Sequence, residues 1–588
     1  MAYSDDGVNF KELNKNYGIL FATATISSNN TINEKGLKKP YIFYTAEGAF
    51  GIIAIRVIWD GSIDEESKGK VLVWTSEDLV NFEEIGLIDL KKDAYVEEVT
   101  CEYEVAAGHY IIRWVDTEGN HYRNILTCFG KPVYVTEAEK INDDTAFIHQ
   151  EVQGGYKIKD NENISIPEGA ILGNIINVDK ELLNNLKLKW SPLENIAIEV
   201  PDCIKASSIK DVETVFAKAI YTDASIAIKK VLWNTEDIDF SKAGVYRVKG
   251  TVIQKEYPFP LAENFGDPVI FRWEDKYYFI ATNDSTGDIG LFVREAETVS
   301  ALFEDGVKQS LILDYNEELD FIKCFWAPES HVIDNELYIL FAVSSNDSGP
   351  QAHMMKFKKG GSILDPNSWE TPIRVRKSDG TYLASEGITL DMTYFEVDGQ
   401  SYVSWSYRYA LGTDKDSGSM IYLATIDPKR PWQLTSSPVL LTRPLFGWEN
   451  NEHTINNEGP YAMITDKEIY ITYSGGACNN YTYAIGLLSI KRGMDLLNPK
   501  NWRKSSTPVL SYYSIDYLYG AGHNSFFKDD TGELVITYHS EYKMTYTPRT
   551  IGIHRVHFDI DGVPRFDMSA NRDLNDRFRM VSMDVIVE

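Results

Sequence analysis

The chain has 588 residues, too many for one hydrophobic core, and its 43% hydrophobic and 25% charged content is that of an ordinary globular protein of two to four domains. Lys and Arg number 58 against 87 Asp and Glu, a net charge of −29, which argues against nucleic-acid backbones and anionic membranes as partners and leaves a neutral substrate open. The five cysteines are odd in number, widely spaced and without a CxxC pair, which excludes a disulfide framework and a zinc site. The first residues, Met1-Ala2-Tyr3-Ser4-Asp5-Asp6, have neither a basic region nor an apolar core, and no apolar run is long enough to span a membrane. The expectation is a cytoplasmic protein, or a secreted one whose leader has been removed.

Residues 1–135 read as strands. Lys38-Lys39-Pro40-Tyr41-Ile42-Phe43 resembles a later stretch, Gly266-Asp267-Pro268-Val269-Ile270-Phe271, with Lys39 where the later stretch has Asp267. A cation cannot serve as a base at neutral pH, so this region is expected to be a degenerate, propeller-like copy without catalysis of its own. Residues 136–195 form a polar connecting segment with one short helix around Val178–Leu186, where apolar residues recur at helical spacing. Residues 196–254 carry short strands separated by turns, the pattern of a small antiparallel sandwich. Val231-Leu232-Trp233 and Gly244-Val245-Tyr246-Arg247-Val248 make this segment resemble a bacterial immunoglobulin-like module, expected to act as a spacer.

From residue 255 to 588 five short islands recur: Gly266-Asp267-Pro268, Trp326-Ala327-Pro328-Glu329, Leu390-Asp391-Met392-Thr393, Glu458-Gly459-Pro460 and Gly522-His523-Asn524. Asp267, Glu329, Asp391, Glu458 and His523 follow one another at steps of 62, 62, 67 and 65 residues. A Tyr/Ile/Val/Phe-rich hairpin run follows each island, such as Glu468-Ile469-Tyr470-Ile471-Thr472-Tyr473. Self-similarity at this period, with several short strands per unit, predicts an all-β chain ending in a five-bladed propeller. A position recurring once per blade sits at one radius, so the five islands converge on one end of the axis.

Convergent unpaired acids are costly unless function requires them. Glycoside hydrolysis requires two carboxyl groups flanking the scissile bond, one ionised and one kept protonated by a raised pKa, and a third carboxylate can raise it. Asp267, Asp391 and Glu458 supply such a set. Each also has a plain reading as a turn or strand-end residue; their common phase favours the catalytic one.

These motifs make residues 260–588 resemble glycoside hydrolase family 43, five-bladed propellers that hydrolyse arabinofuranosides and xylosides with inversion. The resemblance implies Asp267 as general base, Glu458 as general acid and Asp391 as the aspartate that tunes and orients the acid. Glu329, after Trp-Ala-Pro, is the reserve for that last role; its form tips the substrate toward α-L-arabinofuranosyl residues of plant-type poly- or oligosaccharides, with β-xylosidase or a non-catalytic glycan-binding propeller as alternatives. Phe325 and Trp326 suit a wall under the sugar or packing between blades, and Arg549 suits a substrate contact or an ordinary surface position. With Glu329 and Trp405 they complete the candidate substrate-binding set. His523 matches a histidine near a central calcium in the family, so a structural Ca2+ at the axis and a hydrogen-bonded core histidine both stand open; no cofactor is implied for the chemistry. Nothing in the sequence sets an oligomeric state.

Overall fold

The computed structural model describes residues 1–129, 133–142, 164–450 and 454–588. Residues 143–163 of the connecting segment lie outside the described residues. The chain folds as two units, one of residues 1–27, 32–191 and 445–447, the other of residues 28–31, 192–444 and 448–588.

The first unit contains two four-stranded antiparallel sheets in sequential order. One runs Lys35–Tyr44, Phe50–Ile58, Lys70–Ser76, Glu83–Asp89; the other Val96–Glu104, His109–Asp116, His121–Leu126, Glu139–Ile141. These are blade-like meanders, as the sequence repeat predicts. Lys39 sits at φ 47°, where the pairing register slips between Lys38 and Tyr41. Its ammonium lies 3.1 and 3.0 Å from the Glu97 and Glu98 carboxylates, in an exposed ionic cluster. The predicted helix forms at Lys180–Trp190, capped by Asp179, whose carboxylate accepts the Leu182 N–H.

In the second unit, strands Asn195–Glu199, Ala217–Tyr221, Ile226–Trp233 and Gly244–Ile253 lie in one six-stranded sheet. Ile226–Trp233 alternates strictly between exposed and buried, and its inward Val231 and Trp233 join Val212, Val248, Met583 and Val585 in a core. The final strand of the chain, Met580–Val587, is inserted between Gly244–Ile253 and Cys203–Lys205. The expected boundaries therefore need correction: the immunoglobulin-like module is completed by the C-terminus, and the propeller does not run to residue 588. A buried ionic network binds this sheet to the last blade. Asp573 takes Lys229 at 3.1 Å, Arg555 Nε at 2.8 Å and Tyr221 Oη at 2.7 Å, and the Lys229 and Asp573 side chains are each 1% exposed.

Five consecutive antiparallel sheets then make the propeller. Their innermost strands are Phe265–Trp273, Lys323–Ile333, Ile388–Val397, Asn457–Ile464 and Tyr519–Lys528. Four sheets have four strands; the last has three and is extended by an isolated bridge between Glu263 and Thr550, so the segment entering the first blade closes the ring. Both faces of a blade pack on neighbours, which is why the hairpin runs read as continuous apolar segments instead of alternating ones. The cores lie between blades: Ile280 and Val293 meet Ile339 and Phe341, and Leu340 and Met354 meet Val403 and Ala424.

Candidate active site

Each innermost strand carries a bulge at its island. The register slips between Gly266 and Val269, Trp326 and Glu329, Leu390 and Thr393, Glu458 and Tyr461, and Gly522 and Ser525. The first bulged residue is left-handed every time: Asp267 at φ 54°, Ala327 at 45°, Asp391 at 54°, Gly459 at 56° and His523 at 48°. Gly, Asp and His are among the residues that accept this region most readily, and bulges are a common device for re-aiming side chains next to active sites. The equivalent positions are thus Asp267, Ala327, Asp391, Gly459 and His523. Glu329 and Glu458 stand two residues after and one residue before that phase, a correction to the expected alignment.

The bulges are locked by a second repeat. Opposite them, on the adjacent strand, stand Thr282, Ala342, Ser406, Ser474 and His539, each fifteen or sixteen residues beyond the bulged residue. The next blade's bulge donates its N–H to this residue: Ala327 to Thr282 Oγ1 at 2.9 Å, His523 to Ser474 Oγ at 2.7 Å and Asp267 to His539 Nδ1 at 3.1 Å. Gly459 instead donates to Asp391 Oδ2 at 3.0 Å, and Ser406 Oγ donates to the same oxygen at 2.8 Å.

Asp267 is buried. Thr282 donates to its Oδ2 at 2.5 Å, while His523 Nδ1 and Arg549 Nη1 lie 3.1 and 3.3 Å from its Oδ1. Burial opposes its charge, but His523 and Arg549 outweigh burial and hold the carboxyl well below the usual range. His539 accepts the Asp267 N–H on Nδ1, so its proton sits on Nε2, 3.1 Å from the Cys478 carbonyl; burial keeps this imidazole below its ordinary pKa and neutral. Arg549 reaches Asp267 because Gly266 lacks a side chain: a Cβ there would lie 2.0 Å from the guanidinium carbon. The rest of the Arg549 fork holds Asp284, at 3.0 Å through Nε and 2.5 Å through Nη2.

Glu458 accepts a hydrogen bond from Tyr483 Oη at 2.9 Å. Burial, then the Asp391 carboxylate, push its pKa up to about 7. Burial also raises Asp391, against the pull of His523. Of this pair, Asp391 keeps the charge, because its Oδ2 accepts two hydrogen bonds from neighbouring donors, and Glu458 keeps the proton. Glu329 lies deeper, 3% exposed, with Oε2 2.6 Å from His331 Nε2. Its carboxylate pairs with His331, whereas Asp391 accepts the N–H of Gly459, the residue that follows the acid.

Two expected substrate-binding residues are corrected. Phe325 is fully buried in the core between the first two blades, and Trp405 is 2% exposed and stacked on Tyr422; both pack. Trp326 is half-buried, its Nε1 donating to Asp288 at 2.9 Å. Arg549 is at the site but spends its fork on Asp267 and Asp284. Thr282, Asp284, Ser406, Tyr483 and His539 were not singled out by the motifs; the offset of fifteen or sixteen residues from each bulge is the signal that finds three of them. His523 Nε2 is buried without a partner among the described residues. Calcium takes six to eight oxygen ligands, and no group of three or more His, Cys, Asp or Glu side chains among the described residues is arranged to hold a metal. The side chains described do not make a calcium cage, and no step below passes through a metal.

Residues 257–564, just over half of the chain, match the family described as "Glycosyl hydrolases family 43". The chain belongs to glycosyl hydrolase family 43. Residues 1–153 match a family described as "Probable glycosyl hydrolase domain", and residues 216–255 a bacterial Ig-like domain of group 4. The chain is similar to an extracellular exo-alpha-(1->5)-L-arabinofuranosidase of Streptomyces avermitilis, 28% identical over 52% of this chain and 62% of that protein. A protein of the same name from Streptomyces chartreusis is 31% identical over 49% of this chain and 83% of its own length. Among solved structures, the alpha-L-arabinofuranosidase from Lactobacillus brevis is 27% identical, with a TM-score of 0.46, covering 53% of this chain and 96% of that one. The match thus spans less than two thirds of the Streptomyces avermitilis protein. Among the described residues no helix is long and apolar enough to cross a membrane.

Proposed function

We propose that the protein is an inverting α-L-arabinofuranosidase that releases arabinofuranosyl residues from plant-type oligo- or polysaccharides. The observation that carries this reading is the opposed pair: Asp267 held ionised and Glu458 held protonated on strands facing one axis. Environments that push two carboxyl groups apart in this way define a base and an acid. Asp267 takes a proton from a water as that water's oxygen bonds to the anomeric carbon. The bond from that carbon to the glycosidic oxygen breaks, and Glu458 gives its proton to the departing oxygen. Both carboxyl groups then exchange protons with solvent and reset. Asp391 keeps Glu458 protonated and orients its strand through Gly459, while Thr282, His523 and Arg549 fix Asp267.

The choice of arabinose rests on the names of the relatives and on Trp-Ala-Pro-Glu at residues 326–329. Two of those relatives are named extracellular, which favours action outside the cell over the cytoplasm for this chain as well. Proton NMR of the first-formed sugar from 4-nitrophenyl α-L-arabinofuranoside tests the reading. The β-anomer is expected; the α-anomer overturns inversion. Faster turnover of the β-D-xyloside transfers the assignment to xylose, and no turnover of either leaves a binding propeller.

A further inference from the structure

We propose that a rim of tyrosines on the fourth and fifth blades binds the sugar units beyond the cleaved bond, on the leaving side of an oligosaccharide; this rests on the glycosidase reading above. Glu458 belongs to the fourth blade, and the oxygen it protonates must lie against its carboxyl, so the leaving sugars run out past that blade. Three loops gather there: residues 476–483, 511–518 and 542–549. They form one assembly, since Gly520 N donates to Tyr481 O at 2.7 Å, Tyr519 pairs with Glu541, and the Tyr481 and Tyr512 rings meet edge-on at 5.2 Å. Two of the loops are anchored to the catalytic centre, residues 476–483 through Tyr483 on Glu458 and Cys478 O on His539, and residues 542–549 through Arg549 on Asp267; residues 511–518 join them through the Tyr481–Tyr512 contact.

On this assembly Tyr517 and Tyr546 are 78% and 77% exposed. Packing explains neither. Tyr517 also adopts φ 67°, an uncommon conformation for a bulky residue and one that clusters at functional sites. Rigid aromatic faces with polar handles suit a neutral sugar, and the net charge of −29 disfavours an anionic one.

The test is L-arabinose release from α-1,5-linked arabinobiose and arabinotetraose by the full chain, Tyr517→Ala and Tyr546→Ala, with melting temperatures measured alongside. The unaltered protein is expected to prefer the longer substrate. Each substitution is expected to raise KM for the tetraose by about fivefold, more than for the biose, at an unshifted melting temperature. An unchanged chain-length preference, or equal losses on both substrates, overturns the tyrosine rim while the glycosidase reading stands. A full chain that releases no arabinose from either substrate overturns both.

Discussion

The Gly459 N–H donates to Asp391 Oδ2 at 3.0 Å, one residue after Glu458, whose pKa the Asp391 carboxylate raises. The carboxylate that places the acid thus also adds to the effect of burial on its proton affinity. Asp391→Asn removes the negative charge and lowers the Glu458 pKa from about 7. Activity requires protonated Glu458, so the alkaline limb of the pH–rate profile should fall near pH 7 in the unaltered protein and move to lower pH in the variant. A limb that stays in place means that another group titrates.

The acid limb has the opposite origin. Asp267 must be ionised, and His523 and Arg549 hold its carboxyl well below the usual range. Activity should persist at pH values where an ordinary carboxylate has taken up its proton. Arg549→Met removes one of these cations, so the acid limb should rise in pH along with a loss of kcat.

Glu458→Gln and Asp267→Asn should each reduce kcat on oligosaccharides by about 10²–10⁴-fold with circular dichroism unchanged. They should differ on 2,4-dinitrophenyl α-L-arabinofuranoside, whose leaving group departs without a proton. The Glu458 variant should recover most of its rate there, and the Asp267 variant should not. Recovery by both, or by neither, contradicts the assigned roles.

Gly266→Ala places a methyl group 2.0 Å from the Arg549 guanidinium carbon. The guanidinium must move off Asp267, so kcat/KM should fall, with a stability loss of about 1–3 kcal/mol for the overpacking. Gly522→Ala meets the Tyr483 ring at 2.0 Å in the same way and should disturb Glu458 instead. Paired pH–rate profiles distinguish the two: the first should move the acid limb, the second the alkaline one.

Asp573→Ala leaves Lys229 and Arg555 buried without their shared carboxylate. Removing one partner of a buried ion pair costs about 3–5 kcal/mol. Urea denaturation should show a loss of that order. A loss below about 1 kcal/mol would mean that water reaches the network.

The islands were legible in the sequence because a blade must repeat its inner strand, and most of them carry a Gly, Asp or His residue that accepts a left-handed bulge. The hairpin runs announced strands because a blade is apolar on both faces. Pairings between distant segments left no such trace. Met580–Val587 alternates like any strand, and only closure of the sheet assigns it to the module at residues 195–253 instead of to the propeller. Phe325 sits beside its island and Trp405 on the strand that follows one, and both look like site residues; only the packing of one blade on the next turned them into the core. The charge states were also set in three dimensions. A carboxyl group has one ordinary pKa in any sequence, and it took burial, His523 and Arg549 around Asp267, and burial and Asp391 around Glu458, to separate a base from an acid.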